Sequence, residues 1–427
     1  MRIAYITQAY PPVVSGAAVC VDHLAQAMAD RGHQVLVIAP SDHGRPYSTC
    51  EGNLLLKRFR SYHNPMRARQ RFMLFPWRET WQALCGFRPQ VIHSHDFLQF
   101  GLLALRYAHL KRIPIAVTTH QLPWFVSGQL PALFGLRGSA DTALWMFGRW
   151  VLSGHDVIIS PTQTIADIVM QKTQLSPKAI SYGVDLDAFH PAVSTAETDA
   201  VRQRLGLPAG VPIILHVGQL HPGKRVDCII RACAPVLRQT GAWLVIAGDG
   251  PQRSALMKMC RGLGIADRVR FTGFITVEEG LPEVYRMASL FTTASEIETQ
   301  GIVLLEAAAS GLPIAAVRAT CIPEIVRDGV NGYLAEPGDV DGLSGGILQL
   351  LNCPLSAGAM GIQSRLLAQA HDLRFTMNAH EQLYYDLVLE RLEQESWTSP
   401  ALSRSDGRKV IRTAKAAKIA KEFMGEA

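Results

Sequence analysis

Nowhere along its 427 residues does this sequence offer eighteen successive apolar residues. The nearest approach, Gly301 to Val317, is broken by Glu306 and Pro313, so no segment is expected to span a membrane. The first residues, MRIAYIT, enter a β-branched apolar run directly, with no basic stretch, apolar core and cleavage site, and no secretory leader is expected. Eight cysteines stand apart at 20, 50, 85, 228, 233, 260, 321 and 353 with no Cys-x-x-Cys pair, which predicts core thiols in a reducing cytoplasm rather than a zinc site or a disulfide framework. No Asp-x-Asp pair falls at a predicted strand end, so chemistry without a metal or other cofactor is expected. Charged residues make up only 18% of the chain and the net charge is +6, so any electrostatic role depends on where the charges cluster.

What is present is apolar content, 48%, enough for a sizeable interior, in a length that suits two or three domains at ~100–200 residues each. Short apolar runs alternate with longer amphipathic ones. IAYIT, Gly16 to Arg31 and QVLVIAP are followed by VIHSH, Leu98 to Lys111 and IPIAVTTH, a pattern of βα units on a parallel sheet. A second series starts near Pro212 with IILHVG, a helix from about Lys224, WLVIAG, a helix from Gln252 to Leu263, RVRFTG, SLFTTA, PIAAV and GYLAE. Between them GVDLDAFHPAVSTAETDA reads as a hinge. The predicted fold is α/β, two doubly wound parallel-sheet, Rossmann-like lobes facing a cleft: residues 1–190 and 191–372, with a helix over 373–395 and a disordered basic tail from 396. Arg404 to Lys421 supplies that tail with its charge.

The most informative run is ETQGIVLLEAAASG, Glu298 to Gly311. A predicted strand ends at Thr293 and a helix begins at Gly301, with Ile302, Val303, Leu305 and Ala309 on its packed face, Gly311 capping it and Pro313 blocking its continuation. The first-turn N–H groups of Ile302 and Val303 are then available to an anion such as a diphosphate. Glu298 precedes the helix and Glu306 lies about one and a half turns inside it; two carboxylates so placed are natural acceptors for vicinal hydroxyls of a sugar and a ribose. The plainer reading is a surface helix with two solvated charges, and the alanines and leucines around Glu306 argue against it.

ASEIETQGIVLLEAAASGLPIAA resembles the Glu-x7-Glu signature of glycosyltransferase family 4, and the likeness runs from MRIAYIT to about Leu392. It implies the two-lobed GT-B fold, with residues 1–190 binding the acceptor, 191–372 the nucleotide-sugar donor and the helix over 373–395 crossing back to the first lobe, and sugar transfer with retention of anomeric configuration. On that resemblance Glu298 touches the donor hexose, Glu306 the ribose, and the backbone of Gln300, Gly301, Ile302 and Val303 the sugar and diphosphate. HVGQLHPGKRVD is similar to the family's phosphate-clamping stretch, which places Gly218 and Gln219 at the donor and gives Lys224 the role of the family's lysine. Two positions depart from the pattern: Gln219 stands where the family has arginine, with Arg225 as the candidate replacement, and Tyr182 stands where many members have asparagine. In the first lobe, Gly16 lies in a loop whose family counterpart approaches the donor. His120, at the end of IPIAVTT, becomes the first candidate for a residue touching the sugar, and His95 and Asp96, after VIHS, are candidate acceptor contacts.

From Lys57 to Arg88, arginines interleave with Phe59, Tyr62, Phe72, Phe75, Trp77 and Trp81, and Trp77, Trp81 and Leu84 recur at helical spacing. That composition suits either an anionic membrane surface or an outer helix whose aromatics pack inward; nucleic acid is disfavoured because no recognised binding motif accompanies it. The Glu-Thr-Gln-Gly variant and the arginine- and proline-bearing stretch are similar to lipid-modifying members such as diacylglycerol glucosyltransferases. The expectation is therefore a peripheral enzyme on the cytoplasmic face of the plasma membrane, moving glucose from UDP-glucose to a lipid. Two other readings stay open: a soluble family 4 transferase acting on an oligosaccharide, lipopolysaccharide core or small alcohol, and a non-catalytic protein of the same fold that binds a sugar or nucleotide.

Overall fold

The computed structural model describes residues 1–13, 15–63, 71–96, 99–120 and 137–398. The described chain forms two compact units. The first takes residues up to 120, those from 137 to 159 and those from 377 onward; the second takes 160–376. The basic tail, together with Arg67 and Arg69 of the aromatic stretch, lies outside the described residues.

In the first unit, β1 (Arg2–Ile6), β2 (Gln34–Pro40), β3 (Tyr47–Glu51) and β4 (Leu54–Phe59) are followed by a small antiparallel ribbon of β5 (Tyr62–His63) and β6 (Arg71–Phe72). Then come β7 (Val91–Ser94), β8 (Ile115–Thr118) and β9 (Val157–Ser160). The main sheet runs β9-β8-β7-β1-β2-β4-β3, parallel throughout except for β3 against β4. Its central strands are apolar on both faces because helices cover both; Ile3 to Ile6 and Val35 to Ala39 are fully buried. The first covering helix, Gly16–Asp30, starts where the Ser15 hydroxyl accepts from the N–H of Ala18 at 3.2 Å.

The second unit follows a two-residue strand, β10 (Lys178–Ala179), with β11 (Ile213–Val217), β12 (Trp243–Ala247), β13 (Val269–Gly273), β14 (Leu290–Thr292), β15 (Ile314–Val317) and β16 (Gly332–Ala335). Their order is β13-β12-β11-β14-β15-β16, all parallel. Numbered within the unit this is 3-2-1-4-5-6, the doubly wound order, whose winding reverses between β11 and β14; the reversal opens a crevice at the carboxyl ends of those two strands.

The stretch read as a hinge is packed within the second unit. Its small and polar residues make turns and caps: Asp185 accepts from the N–H groups of Asp187 and Ala188, Ser194 caps the helix Thr195–Arg204, and Phe189 meets Tyr285 edge-on at 5.6 Å. Gly183 needs to be glycine, since its φ is +80° and a Cβ would lie 2.8 Å from Leu373 Cα. A second difference concerns Lys224. It ends a single 3₁₀ turn, Pro222–Lys224, and the helix starts at Val226, because Arg225 takes a left-handed conformation, φ +48°, between them.

Candidate active site

In the second unit the loops after β11 and β14 bring together residues 74 apart in sequence: Lys224 Nζ lies 2.5 Å from Glu298 Oε1. Glu298 is buried, its N–H donates to Thr320 Oγ1 at 3.1 Å, and Cys321 Sγ meets its carbonyl at 3.4 Å, so the loop is held from behind. Beneath the pair, His216 of β11 donates from Nδ1 to Thr292 O, 2.9 Å away, while its buried Nε2 has no partner. Burial and then the nearby Lys224 hold that imidazole neutral, lowered to about 4. Arg225, the candidate replacement for the missing arginine, is bonded to Glu296, with Asp227 3.6 Å away. Gly218 and Gln219 follow β11 directly; the close passage of Gly248, whose Cβ would fall 1.9 Å from Gly218 O, fixes the backbone there.

Gly301 sits at φ +77° immediately before the helix Ile302–Ala309, and a Cβ there would strike Leu304 Cδ1 at 2.9 Å. Leu304 rather than Ile302 or Val303 anchors the buried face, which leaves those two half-buried, with first-turn N–H groups beyond the reach of intrahelical carbonyls. Gln300 contributes its side chain to the framework: Oε1 accepts from the N–H of Tyr182 at 2.7 Å and Nε2 donates to Ser181. Tyr182, where many relatives have asparagine, is thus pinned through its main chain. Glu306 is half-buried and accepts at Oε2 from the Tyr285 hydroxyl, 2.7 Å away. Desolvation raises its carboxyl to about 7 against the opposing pull of that hydrogen bond. Tyr285, on the helix Leu281–Arg286, had no motif to mark it.

At the carboxyl edge of the first unit's sheet, His95 and His120 meet, His95 Nδ1 lying 2.7 Å from His120 Nε2. His95 Nε2 is buried without a partner, and an orphaned acceptor costs less than an orphaned N–H, so His95 donates from Nδ1 and His120 accepts. His120 is neutral, lowered to about 3 by burial and then by His380. Behind this pair His93 packs on His95 with ring centroids 4.1 Å apart. Tyr5 donates to Tyr384 at 3.2 Å, so the single proton of Tyr384 goes to His93 Nδ1 at 2.7 Å, and His93 Nε2–H donates to Thr118 Oγ1 at 2.7 Å. His93 shares a strand face with His95 two residues on, the signal that could have marked it; Tyr384, on the helix Leu373–Thr398, carried none. Asp96 Oδ2 accepts from Phe100 N at 3.2 Å, which starts the helix Gln99–Lys111. Gly16 is exposed in the first turn of its helix.

The aromatic stretch divides. Leu84 is buried and Trp81 stands edge-on to Tyr107 at 5.0 Å, the inward-packing arrangement. Leu74, Phe75 and Trp77 point outward, 47%, 66% and 58% exposed, beside Arg78. Among the described residues no helix is long and apolar enough to cross a membrane, and no group of three or more acid, histidine or cysteine side chains could hold a metal ion.

Known proteins are similar to this chain in sequence and fold. The family described as Glycosyltransferase Family 4 matches residues 14–188, and Glycosyl transferases group 1 matches 197–366. The GDP-mannose-dependent alpha-(1-6)-phosphatidylinositol monomannoside mannosyltransferase of Mycolicibacterium smegmatis is 37% identical over 65% of this chain and 73% of its own. The chain belongs to glycosyltransferase family 4. An alpha-monoglucosyldiacylglycerol synthase of Streptococcus pneumoniae, another relative of this family 4 chain, is 28% identical over 82% of this chain and 78% of its own. Anabaena Alr3699/HepE, solved in complex with UDP-glucose, superposes with a TM-score of 0.69 at 21% identity, covering 90% of this chain and 99% of that one, and so shares the GT-B fold.

Proposed function

We propose that this family 4 glycosyltransferase moves a hexose, glucose from UDP-glucose, onto a membrane lipid with retention at the anomeric carbon and without a metal. The observation that carries the donor half is the crevice between β11 and β14, where Lys224, Glu298, the Ile302–Ala309 helix start and Glu306 converge. A diphosphate takes Lys224 from Glu298, which frees that carboxylate for sugar hydroxyls, while Glu306 accepts from the ribose. The bond from the anomeric carbon to the diphosphate oxygen breaks, and its electron pair leaves with UDP. The acceptor oxygen bonds to the same face of that carbon, and its proton passes to a donor phosphate oxygen. Charge stabilisation at the departing diphosphate falls to Lys224 and the helix N-terminus. His120, neutral with its conjugate acid near 3, is unsuited to hold the acceptor's proton and serves as a hydrogen-bonding contact for the sugar.

The lipid half rests on exposed Leu74, Phe75 and Trp77 and on relatives named for diacylglycerol and phosphatidylinositol products. The testing experiment incubates the intact chain with several labelled nucleotide sugars and a lipid extract, with and without EDTA, beside a His120→Ala control. Label in lipid from UDP-glucose, unaffected by EDTA and reduced about tenfold in the control by loss of one hydrogen-bonding contact, is expected. No labelled lipid from any donor would remove the lipid reading, and an unchanged rate in the control would remove His120.

A further inference from the structure

Beside the carboxyl ends of β1, β2 and β4, entirely within the first unit, lies a cavity of about 40 Å³ whose lining includes Gln8, Tyr10, Pro40, Asp42, Arg58 and Arg71. Arg58 is the next-to-last residue of β4 and only 5% exposed. Its Nη1 donates to Pro40 O at 2.9 Å, its Nη2 to Pro11 O, and its guanidinium lies 5.3 Å from the centre of the Tyr10 ring. Its Nε is buried without a partner.

Neither Arg58 nor Arg71 has a carboxylate at ion-pairing distance among the described residues, and Arg58 is the only arginine among them that is buried as a whole residue. Arg286, with a side chain 7% exposed, holds Glu197 at 2.5 Å. Arg365 also has no acid at ion-pairing distance, yet it donates to three carbonyls, one of them Ala309 O at the negative end of a helix. Arg58 has only two neutral carbonyls, a ring face and an idle N–H. A buried guanidinium so placed has no counter-charge in contact, and Asp42 reaches it only at longer range.

Arg71 brings a second positive charge to the same lining. Ser61 fixes it through Oγ at 2.8 Å and O at 2.9 Å, and His63 Nε2 lies 2.9 Å from its Nη1. It approaches so closely that a Cβ at Gly44 would fall 2.6 Å from its Nη2. Asp42 opposes the pair, but its Oδ1 is already occupied by the Tyr47 hydroxyl at 2.9 Å and the His43 N–H at 3.1 Å. Two guanidiniums against one carboxylate leave the lining net positive. A second buried polar atom in that lining, Gln8 Oε1, also has no partner. Whichever way its amide is turned, a hydroxyl can satisfy it, because a hydroxyl both donates and accepts.

We infer that this cavity is a subsite for an acceptor bearing both an acid group and a hydroxyl, with Arg58 and Arg71 taking the carboxylate or phosphate and Gln8 the hydroxyl. The inference deepens the transferase reading and rests on its assignment of the acceptor to the first unit. It narrows the lipid, since a diacylglycerol has the hydroxyl but no acid. The same acid chemistry can come from an anionic lipid headgroup or from a free phosphorylated alcohol.

The test pairs ligands that differ only in the acid. sn-Glycerol 3-phosphate and glycerol are titrated calorimetrically into the intact chain and into Arg71→Met and Arg58→Lys variants, with melting temperatures recorded for each. The phosphate should bind at least about tenfold more tightly than glycerol, and Arg71→Met should erase most of that difference while its melting curve stays cooperative. Arg58→Lys keeps the charge and loses the fork, so an intermediate preference is expected. Equal affinities for the two ligands, or a full preference kept in folded Arg71→Met, would overturn the subsite. In a second arm, neutral vesicles carry either phosphatidylglycerol or diacylglycerol as acceptor for labelled UDP-glucose. Transfer favouring phosphatidylglycerol assigns the acid to a lipid headgroup, and transfer favouring soluble glycerol 3-phosphate assigns it to a free phosphate. Diacylglycerol serving as well as phosphatidylglycerol would overturn the inference and leave lipid glucosylation standing. Absence of transfer to every acceptor would instead break the donor or lipid reading, and the titration still decides the subsite by itself.

Discussion

The two histidine- and acid-lined clusters differ in how they store polarity. In the second unit the groups are charged and already matched, Lys224 with Glu298 and Arg225 with Glu296. In the first unit His93, His95 and His120 are neutral, each held below the usual histidine range first by burial. A ligand entering the charged cluster exchanges one ion pair for another, so affinity and leaving-group stabilisation are set there by electrostatics. A ligand meeting the neutral chain finds fixed donors and acceptors whose orientation is set by Tyr384 and Thr118, so that side contributes geometry.

The contrast can be broken most severely at Lys224. Lys224→Ala removes the only cation bonded to Glu298 among the described residues, and kcat/KM should fall by about 10²–10³. A change of less than threefold would show that the diphosphate is held elsewhere. Next is Glu306→Gln. The wild-type carboxyl is raised to about 7, and the ribose prefers its ionised form, so the donor KM should fall as pH rises from 6 to 8. The variant should lose that dependence and have a KM about tenfold higher at pH 8. Stability runs the other way. A folded-state value above the ordinary 4.5 means the wild-type contribution is full below that value and is lost as pH rises through about 7, so the ligand-free variant should melt above wild type at pH 8 and not at pH 4.5. The smallest effect belongs to Tyr384→Phe, which leaves His93 Nδ1 without its donor. It should lower kcat a few-fold with KM unchanged and reduce stability by about 1–2 kcal/mol by chemical denaturation. A shift in KM alone would mean that the chain of rings does not orient His120.

Much of this was readable from residues. Within the Glu298–Gly311 run, Gly301 before the helix and Gly311 after it both take positive φ, +77° and +74°, as a strand-to-helix turn and a helix stop require. Alternating apolar segments marked the parallel sheets because strands covered on both faces are continuously apolar. The rest depended on topology. Lys224 finds Glu298 only because β11 and β14 are neighbours, and spacing along the chain carries no trace of that. Helical spacing grouped Trp77 with Trp81 and Leu84, yet Trp77 is the first residue of its helix and escapes the packed face. Arg58 read as one more surface arginine in a basic stretch, since nothing local announces that β4 buries it between two loops. Gln300 was expected to offer its backbone and Asp96 its place after a strand end, and nothing local announced that their side chains would also brace the framework, through Tyr182 and Phe100.

Titration of UDP into the intact wild-type chain and into Lys224→Met, compared by calorimetry at pH 8 without divalent metal, addresses the switch-point donor site most directly. Saturable one-to-one binding, weakened at least about tenfold in the variant, is the predicted result; equal affinity in the two proteins, or no binding to wild type, would contradict it.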